Sequence, residues 1–208
     1  MLSKLLLATR NPGKARELAV LLQGVPFTIT TPQEEGIALE VEETGATFEE
    51  NAALKARAFA TASGLLTLAD DSGLEVDALG GEPGVLSARY AGPQASDEER
   101  VRYLLGKLQG IEWNKRHARF RSVIAVAEPT GAFKLFEGAC EGVIALEPRG
   151  KAGFGYDPVF YLPSLKKSMG ELSPEEKNGI SHRGRAARKA VEYLKGMAAS
   201  KQDKPSYS

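Results

Sequence analysis

Cysteine and histidine are scarce in this chain, and the scarcity limits its covalent and metal chemistry. Cys140 is the only cysteine among 208 residues, so no disulfide can form within the chain. Such cysteine usage fits a reducing compartment, and we expect Cys140 to be buried or inert rather than a reactive nucleophile. His182 has no second histidine or cysteine at ligand spacing, so a zinc site is not expected there.

The chain also lacks an excess of one charge and any long apolar run. Lys plus Arg number 27 and Asp plus Glu number 27, giving a formal net charge of zero. A general nucleic-acid or membrane-surface binder usually has a basic excess, so neither partner is expected. Apolar runs stay short of the roughly 18 residues of a membrane span, and the run at the start is too short for a signal peptide. We therefore expect a cytoplasmic protein.

The composition that is present, 42% hydrophobic and 26% charged residues, is that of a globular protein. Patterns typical of helices and strands alternate at both ends of the chain, whereas the middle is rich in strand patterns. We therefore predict an α/β fold with a mixed sheet bent into two lobes. The predicted boundaries are a single domain over 1–199 and a flexible polar tail over 200–208.

Signals for helix starts and for strands recur along the chain. Asn11 followed by Pro12 predicts an N-cap and the first residue of a helix. Three Ser/Thr-x-x-Glu capping boxes, beginning at Thr47, Ser96 and Ser173, predict further helix starts. Apolar or alternating runs predict extended segments over 65–69, 74–77, 120–127, 133–139 and 142–146, with a hairpin turn around 129–131.

The first candidate site is the segment Thr9 to Lys14, between a predicted strand and a predicted helix. Backbone N–H groups and the positive end of the helix dipole suit a phosphate there, and Lys14 adds a point charge. The segment is not a Walker A loop, because the first glycine is missing and Ala15 follows the lysine. The alternative interpretation is a simple Asn11 cap beside a solvated lysine.

The second candidate site is acidic. Asp70 and Asp71 open the segment Asp-Asp-Ser-Gly, which closes a predicted strand, and α/β sheets place their ligands at strand carboxyl ends. Adjacent carboxylates repel unless a cation or water separates them, and hard oxygen ligands favour Mg²⁺. Glu42 and Glu43 precede another predicted helix and could join them. The alternatives are an Asp-Ser-Gly turn and surface acids that complement a helix dipole.

Three further segments carry aromatic or basic residues. Glycines interleave with aromatic rings over 153–158, where a base could stack, although core-packed rings in a tight turn are the alternative. Lysine, histidine and arginine gather over 177–184, before the last predicted helix, where the alternative is a charged helix entrance. The basic run over 115–121 is better interpreted as one solvated strand face than as a nucleic-acid contact.

Taken together, these segments strongly resemble the inosine-triphosphate pyrophosphatase family, also called Ham1-like or noncanonical purine NTP pyrophosphatases. The resemblance runs from about Leu5 to Leu194 in the same order. Arg10 is its one visible variation, at a place where a small residue is common. The matching stretches are 9–14, 42–55, 69–77, 87–90, 153–158 and 177–183.

The resemblance implies Mg²⁺-dependent hydrolysis of ITP, dITP and XTP to the monophosphate and pyrophosphate, which would cleanse the nucleotide pool. It also implies a homodimer of elongated α/β subunits, with the active site in the cleft between two lobes. Glu42, favoured over Glu43, and Asp71 would hold the metal, and Asp71 would also accept the proton. The substrate contacts carried over are Thr9, Arg10, Asn11, Pro12, Gly13, Lys14, Ser72, Phe154, Gly155, Tyr156, Asp157, Lys177, His182 and Arg183.

Three expectations about the chemistry go beyond the family's residue set. Lys55, placed by its position on a predicted helix, would neutralise the leaving pyrophosphate together with Lys14. Asp70 is expected to support the site electrostatically or structurally. Arg183 or nearby N–H groups would select an oxygen over an amino group at purine position 6. The rival functions are a phosphohydrolase or kinase that releases orthophosphate, and a nucleotide-sensing or RNA-contacting module without catalysis.

Overall fold

Seven strands form one mixed sheet in the computed structural model, which describes residues 3–202. They are β1 (Lys4–Leu7), β2 (Thr28–Thr30), β3 (Leu66–Val76), β4 (His117–Ala127), β5 (Phe133–Ile144), β6 (Phe160–Leu162) and β7 (Lys167–Ser168). The strand order is β2-β1-β3-β4-β5-β6-β7. Strand β1 pairs in parallel with β2 and β3, whereas β6 pairs antiparallel with β5 and β7. The predicted α/β class with a mixed sheet is confirmed.

Five α-helices accompany these strands within residues 3–202: α1 (Pro12–Leu21), α2 (Phe48–Ser63), α3 (Asp97–Lys107), α4 (Pro174–Ile180) and α5 (His182–Gln202). The four predicted caps are confirmed, since the side chains of Asn11, Thr47, Ser96 and Ser173 each accept a hydrogen bond from a first-turn backbone N–H. The boxes at Ser96 and Ser173 are reciprocal. Before α2, the Glu50 carboxylate accepts instead from the backbone N–H of Ala46, at 2.7 Å.

Two compact units divide the described chain. The first comprises residues 3–70, 123–137 and 185–202, and the second comprises 71–122 and 138–184. Each unit buries an apolar cluster of its own, centred on residues such as Leu18 and Leu68 in the first and Leu104 and Phe160 in the second. The predicted division into two lobes is confirmed at this level, and the location of the active site stays a prediction.

Strand β3 is longer than predicted, and its length changes the setting of the acidic segment. It is one continuous strand over Leu66–Val76, so residues 70–73 lie inside it. The prediction that this segment follows a strand end is therefore wrong, and so is the alternative of a turn. The predicted half-exposed alternation over 74–77 is confirmed, since Leu74 and Val76 have no exposed surface whereas Glu75 is partly buried and Asp77 is exposed. The burial of Leu74 and Val76 favours the extended form despite the low strand propensity of aspartate and glycine.

Strand β5 also merges two predicted segments. The run over 133–139 and the run over 142–146 form a single strand, Phe133–Ile144. A Cβ on Gly142 would lie 2.6 Å from the Phe160 ring, so this glycine makes room for a core phenylalanine and does not end a strand. The predicted hairpin turn is present between β4 and β5, where the Glu128 N–H donates to the Ala132 carbonyl at 2.8 Å.

Cys140 and the basic run over 115–121 lie largely where they were expected. Cys140 is buried, as predicted. Arg119 and Arg121 lie half-exposed on β4 and pair with Glu75, which supports the interpretation of a strand face. Arg116 differs from them, because it is buried and donates to three backbone carbonyls.

The last helix is longer than expected. Helix α5 continues to Gln202, past the predicted domain end at 199, and the rest of the predicted tail, 203–208, lies outside the described residues. Among residues 3–202 no helix is both long and apolar enough to cross a membrane.

Candidate active site

Two lysines of the first unit converge on Asp70. The Nζ atom of Lys14 lies 2.9 Å from Asp70 Oδ2. The Nζ atom of Lys55 donates to the Asp70 backbone carbonyl at 2.8 Å and to Glu43 Oε1 at 2.7 Å. We call Lys14, Glu43, Lys55 and Asp70 the lysine cluster. The side chain of Lys14 is only 15% exposed, so the alternative of a solvated lysine is wrong.

The turn between β1 and α1 carries Lys14 to this place. The N–H of Asn11 donates to Thr9 Oγ1 at 3.2 Å, and Asn11 Oδ1 accepts from the Lys14 N–H at 3.0 Å. The Asn11 cap is therefore real, but it accompanies a lysine held by a carboxylate. The turn thus combines the positive end of a helix dipole with an oriented ammonium group, as a phosphate site requires.

A second local bond fixes the segment that leads into α2. Asn51 is fully buried on α2, and its Oδ1 accepts from the Gly45 N–H at 2.8 Å. A Cβ on Gly45 would lie 2.7 Å from that same oxygen, so only glycine fits. This contact fixes the backbone two residues after Glu43, which pairs with Lys55, whereas the neighbouring Glu42 is exposed.

Arg10, the variation within the phosphate segment, is directed at a different part of the first unit. It donates to the Leu39 carbonyl at 2.9 Å and forms an ion pair with Glu40. Both partners lie in residues 39–40, so the long Arg10 side chain is held by hydrogen bonds to that segment. A phosphate contact of Arg10 stays a prediction.

Predicted substrate residues of the second unit also gather. Lys177 Nζ lies 4.8 Å and Arg183 Cζ lies 5.5 Å from the centroid of the Phe154 ring. Arg183 Nη2 donates to Ser72 Oγ at 2.7 Å, and Lys177 Nζ donates to Asp157 Oδ2 at 2.5 Å. We call these five residues the aromatic cluster. Positive charge beside a half-buried ring suits a polar, aromatic ligand.

The loop over 153–157 owes its shape to Asp157. Its Oδ2 atom also accepts from the Phe154 N–H at 2.8 Å, and a Cβ on Gly153 would lie 2.0 Å from that oxygen. Gly153 has a φ of 78°, which glycine adopts without strain. The side chain of Asp157 is 3% exposed, so it holds the loop and Lys177 together.

For Tyr156 the alternative interpretation of this loop, a ring packed in the core, is confirmed. Its ring is buried in the apolar cluster of the second unit, and its hydroxyl donates to the Ser87 carbonyl at 2.9 Å. Burial raises the pKa of the Tyr156 phenol, so this hydroxyl stays protonated. Phe154 is the half-buried ring of the loop, and it is the one that can offer a stacking face.

The basic segment over 177–184 was predicted to lie before the last helix, but part of it lies within that helix. Lys177 belongs to α4, and His182 is the first residue of α5. The His182 ring is 4% exposed and stacks on Phe120, with centroids 4.7 Å apart and planes 15° apart. Gly184 allows the two helices to meet closely, because a Cβ there would lie 2.0 Å from the Asn178 carbonyl oxygen.

Sequence reasoning missed Asp97. The motif Ser-x-x-Glu identified this residue only as the first-turn acid of a helix, yet its Oδ2 accepts from the Gly155 N–H at 2.6 Å. The two residues are 58 positions apart, and no local pattern connects them.

Magnesium binding by Glu42 and Asp71 stays a prediction, and the chemistry of two carboxylates suits it. Glu43 and Asp70 each form an ion pair with a lysine of the lysine cluster. Within residues 3–202, no group of three or more His, Cys, Asp or Glu side chains could hold a metal ion by itself. Mg²⁺ is commonly bound by one or two carboxylates together with substrate phosphates, so two hard oxygen donors match its needs.

Comparisons with known proteins give one consistent result. A model described as the Ham1 family matches residues 5–193. The chain is 53% identical over 191 residues to a dITP/XTP pyrophosphatase of Desulforamulus reducens, covering 92% of this chain and 95% of that protein. It is 47% identical over 194 residues to a dITP/XTP pyrophosphatase of Bacillus subtilis, covering 93% and 98% respectively.

Solved structures show the same likeness. A HAM1 protein from Coxiella burnetii is 45% identical, with a TM-score of 0.85 and coverage of 92% of this chain and 98% of that chain. The Staphylococcus aureus Ham1 protein is 44% identical, with a TM-score of 0.84 and coverage of 94% and 100%. The similarity therefore holds in both sequence and fold over almost the whole chain.

Proposed function

The chain belongs to the Ham1 family and is a nucleoside-triphosphate pyrophosphatase, and we propose that its substrates are the noncanonical purine nucleotides dITP, XTP and ITP. The products would be the nucleoside monophosphate and pyrophosphate. The observation that carries this proposal is the 53% identity with a dITP/XTP pyrophosphatase across nearly the full length of both chains.

The lysine cluster supports binding of the triphosphate. A triphosphate carries about four negative charges, which must be met by cations close to the bond that breaks. Lys14 and Lys55 lie within hydrogen-bonding distance of the same residue, Asp70, which fixes both ammonium groups before any ligand arrives. Such preorganisation lowers the cost of ordering two long side chains on binding.

The acidic residues support hydrolysis between the α and β phosphorus atoms. Glu42 and Asp71 would hold Mg²⁺, which when bound neutralises phosphate charge and polarises the phosphorus–oxygen bonds. Asp71 accepts a proton from the water whose oxygen bonds to the α phosphorus, and the bond from the α phosphorus to the bridging oxygen breaks. Lys14 and Lys55 neutralise the charge that develops on the leaving pyrophosphate.

The aromatic cluster supports selection of the base. The half-buried Phe154 ring offers a face for a purine, and Arg183 places N–H donors beside it. Hypoxanthine and xanthine present an acceptor oxygen at position 6, whereas adenine presents an amino donor there. Donors left facing a donor in a desolvated site can reject the wrong base by about 10⁴-fold.

Hydrolysis of dITP, XTP, ITP, GTP and ATP, with pyrophosphate detection and with or without Mg²⁺, tests this proposal. We expect pyrophosphate release that needs Mg²⁺ and strongly disfavours ATP. Orthophosphate as the product would indicate a different phosphohydrolase or kinase. Nucleotide binding without Mg²⁺ and without turnover would indicate a sensing module.

The role of Asp71 can be tested separately. Asp71→Asn keeps the shape of the side chain and removes its basicity, so turnover should fall by about 10²- to 10⁴-fold while the unfolding temperature stays close to wild type. Near-normal turnover in this variant would remove Asp71 from the mechanism.

The proposal also includes a homodimer and a cytoplasmic location. Light scattering on the purified protein should give close to twice the mass of one chain. The mass of a single chain at micromolar concentration would contradict the dimer.

A further inference from the structure

A contact between helix α3 and the loop over 153–157 has no place in the mechanism proposed above. Asp97 is the first residue of α3, and its Oδ2 accepts from the Gly155 N–H at 2.6 Å. Its other carboxylate oxygen, Oδ1, pairs with Arg100 one turn further along the helix. One carboxylate oxygen of Asp97 therefore binds Arg100, and the other binds the loop.

Arg100 keeps this carboxylate in one orientation. Its Nη1 donates to the Ala88 carbonyl at 2.7 Å and to the Ala95 carbonyl at 2.8 Å, and its side chain is 18% exposed. An arginine fixed to two backbone oxygens has little freedom, so it holds the Asp97 carboxylate in one orientation. In that orientation Oδ2 accepts from the Gly155 N–H.

The bond matters because of the peptide group it fixes. Gly155 has a φ of 63°, and a glycine in this region can also adopt other conformations at little cost. The Gly155 N–H shares its peptide plane with the Phe154 carbonyl, which accepts from the Asp157 N–H at 3.3 Å. Both ends of this peptide are thus bonded, which prevents a peptide flip that would turn the Phe154 ring.

We infer that Asp97 is a positioning residue for base recognition, acting through the Gly155 amide to hold the Phe154 ring beside Lys177 and Arg183. This inference rests on the proposed function, since it assigns the base to the Phe154 ring. It extends the site to a residue that touches neither the nucleotide nor the metal.

Asp97→Ala tests the inference, with Glu98→Ala as the matched control. Glu98 is the next residue of the same first turn and is exposed, so its removal takes the same charge from the helix N-terminus. We expect Asp97→Ala to raise the KM for dITP about fivefold with kcat within about twofold, because one charge-assisted hydrogen bond is lost away from the reacting atoms. Glu98→Ala should leave both values unchanged.

Inorganic tripolyphosphate separates a lost base contact from general damage. It has no base, so its binding to Asp97→Ala, measured by calorimetry, should stay within about twofold of wild type. Equal weakening of tripolyphosphate and dITP would overturn the inference, and so would an unchanged KM. Asp97→Asn provides a variant with minimal change of shape, and its KM should lie between those of wild type and Asp97→Ala, because one amide oxygen cannot serve both Gly155 and Arg100.

Amide hydrogen exchange at Gly155 tests the contact without any substrate. The amide should exchange about tenfold faster in Asp97→Ala than in wild type or Glu98→Ala, because its acceptor is gone. Unchanged exchange would overturn the inference even in an active enzyme. Absence of pyrophosphate release from the wild-type protein would instead refute the proposed function, while the exchange result stands by itself.

Discussion

Removing the charge of Asp157 should destabilise the protein strongly, because it leaves an ammonium group buried without its carboxylate. The Lys177 Nζ and Asp157 Oδ2 atoms are 2.5 Å apart, and the two side chains are 6% and 3% exposed. Breaking a buried pair by removing one partner costs about 3–5 kcal/mol. Asp157→Asn still offers an oxygen to the Phe154 N–H, so we expect the lower value, about 3 kcal/mol.

The size of this loss is measurable against a matched exposed pair. The Lys115 Nζ and Glu112 Oε2 atoms are 2.9 Å apart, but the two side chains are 66% and 67% exposed. Glu112→Gln removes the same charge and should change the free energy of unfolding by less than about 1 kcal/mol. Urea unfolding of both variants at one pH gives the comparison, and Asp157→Asn should also lower the unfolding temperature by about 10 °C.

A double variant identifies the cause of the loss. Asp157→Asn combined with Lys177→Met removes the buried ammonium as well, so the double variant should be more stable than Asp157→Asn alone. The reasoning is refuted if Asp157→Asn costs no more than Glu112→Gln. It is equally refuted if Lys177→Met adds its own full cost to that of Asp157→Asn, since independent losses would mean that the two charges do not interact.

Two further predictions follow from single residues. Gly153→Ala should destabilise the protein by about 2 kcal/mol or more, because φ is 78° and the new Cβ would clash with Asp157 Oδ2. Gly131→Ala is the control, since φ is 90° there and no atom lies within 4 Å of the new Cβ, so it should show the cost of the backbone conformation alone. Equal urea midpoints for the two variants would contradict this. The hydrogen bond from the Ser96 backbone N–H lowers the pKa of Glu99 from its usual 4.5, so the stabilisation by this carboxylate is present above pH 4.5 and is lost as the pH falls through the lower folded-state pKa. The difference in unfolding temperature between wild type and Glu99→Gln should therefore be constant from neutral pH to about 4.5 and shrink below it; a difference that grows with acidification would contradict the sign.

Helix starts could be predicted from the sequence because a cap needs only its own neighbours. The Asn11, Ser96 and Ser173 side chains bind amides three residues away, so the motif contains the complete interaction. The limits of a strand cannot be predicted from such local motifs. Strand β3 continues through residues 70–73, and β5 continues through Gly142, because each pairs with neighbouring strands and buries side chains that local propensity does not describe.

The candidate site divides in the same way. Resemblance to a family predicts Lys14, Lys177 and Arg183 as nucleotide contacts. The sequence predicts a supporting role for Asp70 without naming Lys14 as its partner, and it gives no sign that Asp97 reaches Gly155, 58 positions away. Such partners depend on the fold bringing distant segments together, and short polar side chains give no periodic signal that would reveal this.

Strand geometry explains how Asp70 and Asp71 can stand side by side. In a turn the two carboxylates would compete for one region, and a cation between them would be needed to offset their repulsion. Successive side chains of a strand leave on opposite faces, so their position within β3 separates the two charges without a shared cation. Asp70 then meets Lys14, and its charge is compensated inside the protein. Strand geometry therefore keeps Asp70, which positions Lys14, apart from the metal and proton chemistry proposed for Asp71.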